Sequence, residues 1–151
     1  MRVAIGADHG GFEQKQELAR YLAEELGCEV VDMGTDSTES VDYPDYAEKV
    51  ARAVGRGEVE RGVLICGTGI GVSLAADKVA GVRASSITSV PFAELFRQHN
   101  NGNVVCLSGR FVDLDVNKAI VKTFLETPFE GGRHQQRVDK IMALDETGRV
   151  A

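Results

Sequence analysis

The chain has 151 residues, 43% of them apolar and 26% charged, with a formal net charge of −6. This is the make-up of one ordinary soluble globular domain, residues 1–151, large enough to bury its own core. The acidic balance leaves no electrostatic footprint for nucleic acid or an anionic membrane, and no apolar run reaches the roughly 18 residues of a membrane span.

Met1-Arg2-Val3-Ala4-Ile5 runs straight into an apolar segment and lacks the layout of a signal peptide. "RVAIGA" (Arg2–Ala7) reads as a buried strand. Phe12 to Leu26 follows as a helix, with Leu18, Tyr21, Leu22 and Leu26 on one face. "CEVVDM" is a second strand. A polar loop, Gly34 to Asp42, reads equally as a solvated connection or a substrate-facing segment. Tyr46 to Val54 is a second helix, with Pro44 near its start. Gly62–Cys66 is a third strand, followed by a glycine turn and a helix through Asp77. "GVRASSI" is a weakly marked fourth strand, and Pro91 to Gln98 a fourth helix. Asn103–Gly109 is a fifth strand, Leu114 to Leu125 a fifth helix, and Pro128 ends it. A tight turn and a last helix over about 133–146 complete the chain. Val138, Ile141 and Leu144 give that helix an apolar side, suited to packing on a partner subunit.

Alternating strands and helices predict a three-layer α/β/α sandwich around a five-stranded parallel sheet. The flavodoxin-like strand order 2-1-3-4-5 is expected, plus the C-terminal helix. In such a sheet ligands bind beyond the carboxyl ends of the strands, where the order reverses. That point lies between strand 1, ending in Asp8-His9-Gly10-Gly11, and strand 3, ending in Cys66-Gly67-Thr68-Gly69.

The turn "ICGTGIGVS" decides what such a site could do. A dinucleotide fingerprint needs G-x-G-x-x-G after the first strand and an acidic residue about 20 positions later. Here Val72 occupies the third glycine's place, no carboxylate lies near Ile87, and the turn follows strand 3. A Walker loop would need a Lys-Ser/Thr pair, which is absent. What remains is a nest of backbone N–H groups for an anion or a developing oxyanion, or a packing turn with no ligand. Cys66 stands at its mouth beside a helix N-terminus, which favours thiolate; it reads as nucleophile, general base or inert core residue. Cys28 and Cys106 read as packing. The odd number and wide spacing of the cysteines argue against a disulfide framework or zinc site and for reducing cytoplasm. Asp8 suits a helix cap. His99-Asn100, in the polar run "RQHNNGN", and His134 read as solvated unless other residues converge on them. Arg133 and Arg137 are four apart on one helix face, a spacing that suits a phosphate or carboxylate as well as an exposed charged face.

Six stretches in order, "GADHGG", "DYPDYA", "ICGTGIG", "RQHNNGNV", "SGR" and "EGGRHQQRV", resemble the family shared by ribose-5-phosphate isomerase B and galactose-6-phosphate isomerase. The resemblance runs from Arg2 to about Leu144. It implies interconversion of ribose 5-phosphate and ribulose 5-phosphate through a cis-enediolate, with no metal and no organic cofactor. By the same resemblance Cys66 is the base at C2, the amides of Gly67, Thr68, Gly69, Ile70 and Gly71 stabilise the enediolate, and Thr68 relays a proton. His99 opens the sugar ring. Asp8 contacts hydroxyls, His9, Arg133 and Arg137 grip the phosphate, Asn100 and Arg110 line the site, and Tyr43 forms a wall. One branch of the family uses a glutamate later in the glycine loop, but the equivalent here is Val72. The galactose-6-phosphate enzymes divide these motifs between two polypeptides, whereas this chain carries both halves. A homodimer is implied, with a tetramer left open. Two rivals stand beside this reading: isomerisation of a six-carbon sugar phosphate such as allose or galactose 6-phosphate, and a non-enzymatic nucleotide- or phosphate-binding module. The topology adds an expectation of its own. His99-Asn100 precede strand 5 and should lie at the amino edge of the sheet, away from Cys66, so that a partner completes each site.

Overall fold

A computed structural model describes residues 1–147. Residues 148–151, the end of the expected domain, lie outside the described residues. The elements are β1 (Arg2–Ala7), α1 (Phe12–Glu24), β2 (Glu29–Asp32), α2 (Tyr43–Gly55), β3 (Arg61–Cys66), α3 (Ile70–Ala76), β4 (Ala84–Ser86), α4 (Val90–Asn100), β5 (Val104–Ser108), α5 (Leu114–Glu126) and α6 (Arg133–Thr147). They match the expected elements in kind and order.

All strands pair in parallel, so the α/β sandwich stands, but the sheet order is β2-β1-β3-β5-β4, not 2-1-3-4-5. The physical reason lies in the two strands that exchange places. β5 reads Val-Val-Cys-Leu-Ser and is buried at every residue, as a strand covered on both faces must be. β4 is three residues, Ala-Ser-Ser, all half-buried, which suits an edge.

The strands' period of two sorts the core into halves. Val3, Ile5, Ala7, Val63, Ile65, Val105 and Leu107 face α1, α4 and α5, where they meet Leu18, Leu22, Phe96, Ile120 and Phe124. Ala4, Leu64, Cys66, Val104 and Cys106 face α2 and α3, against Val50, Ala51, Val72 and Ala76.

Two buried cations were not marked by the periodicity. Lys15 on α1 reaches the Asp32 carboxylate at 2.7 Å, tying the end of β2 to the helix. Arg97 on α4 pairs with no carboxylate among the described residues and donates to main-chain carbonyls of Thr127 (3.1 Å) and Gly102 (2.7 Å) and to Asn101 Oδ1 (2.8 Å). Burial first, then the Arg61 and Arg83 cations, pushes its guanidinium down to about 10, still charged at neutral pH. This side chain binds the end of α4 to the segment after α5. Arg97→Met is expected to lower stability by about 2–4 kcal/mol, because one buried and two half-buried acceptors lose a charged donor; urea unfolding measures it.

Candidate active site

The carboxyl edge of the sheet gathers most of the expected residues. Asp8 is buried, and its Oδ1 accepts from the N–H groups of Gly10 (2.9 Å) and Gly11 (3.2 Å), so it closes the turn ahead of α1; the helix cap expected of it falls instead to Gly11, with no side-chain cap bond. His9 Nδ1 accepts from Val41 N–H at 3.1 Å. This contact requires an unprotonated Nδ1 and leaves Nε2 as the donor of the neutral ring. It brings the far end of the polar 34–42 loop to the site. The near end is held too, since Gly34 O and Thr35 N–H pair with Ala7.

At the end of β3, Gly69 stands at φ 81° and opens α3. Its N–H donates to Cys66 Sγ at 3.1 Å, and Ile70 N–H donates to Thr68 Oγ1 at 3.2 Å. Cys66 is 5% exposed while Thr68 is exposed, so the thiol sits just beneath the turn. Tyr43, in the first turn of α2, lies against Gly71 so closely that a Cβ there would meet its ring at 2.6 Å. The corrected strand order puts the turn after β5 directly beside the glycines. Gly109 N–H donates to Cys66 O at 2.8 Å and Arg110 N–H to Gly67 O at 3.2 Å. The Arg110 guanidinium lies over Gly67, where a Cβ would stand 3.3 Å from Nη1.

The remaining residues lie elsewhere. α4 runs back to the amino edge and ends at Asn100, and Asn101 closes it in the left-handed region at φ 49°. Gly62 N–H bonds Asn103 O, and from Gly62 to Cys66 the strand rises roughly 13 Å. His99 and Asn100 are thus separated from Cys66 within one chain, as their position before β5 predicted. Beside them lies the start of α6. His134 is not solvated: it is 7% exposed and stacks on His99, with ring centroids 4.3 Å apart. A histidine in a polar stretch carries no local sign of a second ring packing on it. Arg133 and Arg137 are exposed on the same helix. Val138 packs inside the chain, while Ile141 (47% exposed) and Leu144 (63%) remain at the surface.

Desolvation, then the neighbouring His99 and Arg133, with Arg137 adding to them, lowers the His134 imidazole below its ordinary range; Glu130 opposes them. The folded chain thus binds this proton less readily than the unfolded one. Stability is therefore expected to fall as the pH drops from 7 through about 6.5 and below, and His134→Asn should flatten that slope. Urea midpoints at pH 7.5 and 5.5 measure it.

Among the described residues, His99, Glu130 and His134 form one group whose ligand atoms lie within 4.8 Å of one another. Their suitability for a metal is poor. The two rings stack within 12° of parallel, so their in-plane lone pairs lie in two separate planes, and a tetrahedral ion would require one ring to turn. A cleft of about 680 Å³ between α2 and residues 32–36 contains none of the expected site residues. A groove of about 430 Å³ beside the β4 edge includes Asn100, Ile141 and Leu144.

Residues 3–141 match the family model described as Ribose/Galactose Isomerase. The chain belongs to that family. Ribose-5-phosphate isomerase B of Escherichia coli is 50% identical over 145 residues, covering 96% of this chain and 97% of that protein. The structure of the Clostridium thermocellum ribose-5-phosphate isomerase B superposes with a TM-score of 0.96 at 48% identity, over 99% of this chain and 100% of that one. The Mycoplasma genitalium ribose-5-phosphate isomerase B, solved with bound ribulose-5-phosphate, gives a TM-score of 0.92 at 44% identity, over 96% of each chain. Within the ribose/galactose isomerase family, then, this chain keeps one group of expected residues around Cys66 and another around His99.

Proposed function

We propose that this chain interconverts D-ribose 5-phosphate and D-ribulose 5-phosphate, as a homodimer in reducing cytoplasm. The observation that carries the reading is a thiol placed under a turn of backbone N–H donors, in a chain half identical to a ribose-5-phosphate isomerase B over nearly its whole length. The ribulose-5-phosphate bound by the Mycoplasma genitalium protein supports the substrate. The free thiols of Cys28, Cys66 and Cys106 are in keeping with the compartment.

The chemistry is a proton shift next to a carbonyl. His99 acts as acid–base group while the ring opens. The Cys66 thiolate takes the proton from C2, and the electron pair moves onto the C1 carbonyl oxygen. The developing enediolate meets the N–H groups of the Gly67–Gly71 turn, of which Gly69 and Ile70 are already engaged by Cys66 Sγ and Thr68 Oγ1, leaving Gly67, Thr68 and Gly71 for it; one such donor is worth roughly 10²–10³-fold and the positioned base roughly 10²–10⁴-fold. Thr68 Oγ1 accepts from Ile70 N–H, which leaves its own proton free to pass between O2 and O1. The Cys66 thiol then returns its proton to C1, and ribulose 5-phosphate results. Asp8 holds a sugar hydroxyl, Asn100 and Arg110 line the pocket, and Tyr43 closes one wall. His9 Nε2, Arg133 and Arg137 hold the phosphate, whose binding energy orients the carbon skeleton.

These roles require both groups of residues, so each site takes Cys66 from one subunit and His99 with the α6 arginines from the other. Exposed apolar side chains support such an interface. Ile70 (56% exposed), Leu74 (65%) and Phe111 (78%) lie on the elements that follow β3 and β5 at the carboxyl edge, apolar side chains that a partner would cover.

The test is conversion of ribose 5-phosphate to ribulose 5-phosphate by chelator-treated protein, with kcat/KM compared for five- and six-carbon sugar phosphates. A higher value for ribose 5-phosphate is expected. A higher value for allose or galactose 6-phosphate moves the reading to that substrate. No turnover with either, together with thermal stabilisation by nucleotides, would favour a binding module.

A further inference from the structure

The glycine turn is held from outside as well as by its own bonds: the turn after β5 fixes its first two peptides. In a trans peptide the C=O and N–H point in opposite directions. Along a regular strand successive carbonyls alternate between the two neighbours. Here two in a row point the same way. Cys66 O accepts from Gly109 N–H at 2.8 Å, and Gly67 O accepts from Arg110 N–H at 3.2 Å and from Ser108 Oγ at 2.7 Å. The N–H groups of Gly67 and Thr68 must therefore both point away from β5, that of Gly67 toward the Asp8–Gly10 turn. The close approach of Gly10 agrees: a Cβ on it would stand 3.1 Å from Gly67 N. Two successive amides on one side form an anion nest.

The shortest contact that fixes the second peptide is the Ser108 hydroxyl. Ser108 is 2% exposed. Its Oγ also accepts from Phe111 N–H at 3.0 Å, so the hydroxyl proton is aimed at Gly67 O alone. The main chain of Ser108 is held in turn. Asn117 Nδ2 donates to Ser108 O at 2.9 Å and to Gln14 Oε1 at 2.7 Å, and Gln14 Nε2 donates to Gly109 O (3.2 Å) and Val112 O (2.9 Å). Asn117 is fully buried, and its Oδ1 has no hydrogen-bond partner among the described residues. A core chosen for stability alone would place an apolar side chain there, since an orphaned buried acceptor is unfavourable. The orientation of the turn after β5 is what that orphan accompanies.

We propose that Ser108 is a positioning residue for the isomerisation: its hydroxyl holds the Gly67–Thr68 peptide with the Thr68 N–H toward the enediolate, and Asn117 with Gln14 hold Ser108. The proposal rests on the reading of the glycine turn as the enediolate hole. Released from Ser108, the peptide is fixed by the longer Arg110 contact only, and the Thr68 N–H is no longer preset where charge develops.

Ser108→Ala is expected to lower kcat for ribose 5-phosphate by at least about 10-fold, less than the roughly 10²–10³-fold of a donor removed outright. KM and the dissociation constant for inorganic phosphate should stay within twofold, on the order of experimental scatter. A phosphorylated hydroxamate that mimics the enediolate should lose affinity by the same factor as kcat. Ser108→Thr, which keeps the hydroxyl, should restore most of the rate. Asn117→Leu should show the same kcat-only loss at smaller size, and it serves where Ser108→Ala folds poorly. With an active wild type, a Ser108→Ala kcat within twofold, or losses shared equally by phosphate binding, overturns the proposal and leaves the isomerase reading standing. A wild type inactive on every sugar phosphate overturns both.

Discussion

Replacing Cys66 by alanine is expected to lower kcat for ribose 5-phosphate by about 10²–10⁴-fold, with secondary structure and thermal stability near those of the wild type. The size follows from what is removed and what stays. The thiol goes, while Gly67 O and Cys66 O keep their bonds to the turn after β5, so the donors for the enediolate remain in place. Residual rate over water should persist from those donors and from phosphate binding. Stability should change little. Cys66 is 5% exposed at the end of a strand, and alanine removes one sulfur that already borders the surface. Phosphate affinity should be unchanged, because none of the proposed phosphate ligands touches the thiol. Turnover and the dissociation constant of inorganic phosphate check these together. A Cys66→Ala protein retaining full kcat would leave the isomerase reading but remove the cysteine from it.

Fold and site were legible to different depths. Local signals carried every element: the apolar runs gave the strands, Pro44 and Pro91 marked helix starts, and Asn101 sits at the left-handed close of α4. The order of β4 and β5 was not local. It depends on which strand tolerates an edge, and the contrast between Ala-Ser-Ser and Val-Val-Cys-Leu-Ser was the available signal. The consequence is functional, because only with β5 beside β3 can Arg110 and Ser108 reach the glycine turn. The expected order would have put a strand between them. Residues on the loops at strand ends were legible because glycine and histidine are conspicuous there. Arg97, His134, Ser108 and Asn117 were not, since each acts through partners distant in sequence. Asn117 meets Gln14 across 103 positions, and no periodicity links them. Histidine and arginine in a polar stretch read the same whether buried or solvated; burial is decided by what packs on them.

Subunits carrying Cys66→Ala and subunits carrying His99→Ala, each inactive alone, are expected to recover about one quarter of wild-type activity when mixed and reassembled. Cys66 stands at the carboxyl edge of the sheet, and His99 lies past the residues that pair with Gly62 at the amino edge. A side chain cannot span the roughly 13 Å of strand between them. In a two-fold dimer, what one subunit gives its partner it also receives. A hybrid then has one site with both lesions and one with neither. Random assembly of equal amounts makes about half of the dimers hybrid, and half of their sites intact, hence about a quarter. Purified hybrids carrying two different tags should reach about half. A site built within one chain predicts a lesion in every site of every hybrid and no recovery in either experiment. The two schemes differ by about the full 10²-fold or more that separates a working site from a broken one, so the assay distinguishes them even if reassembly is incomplete.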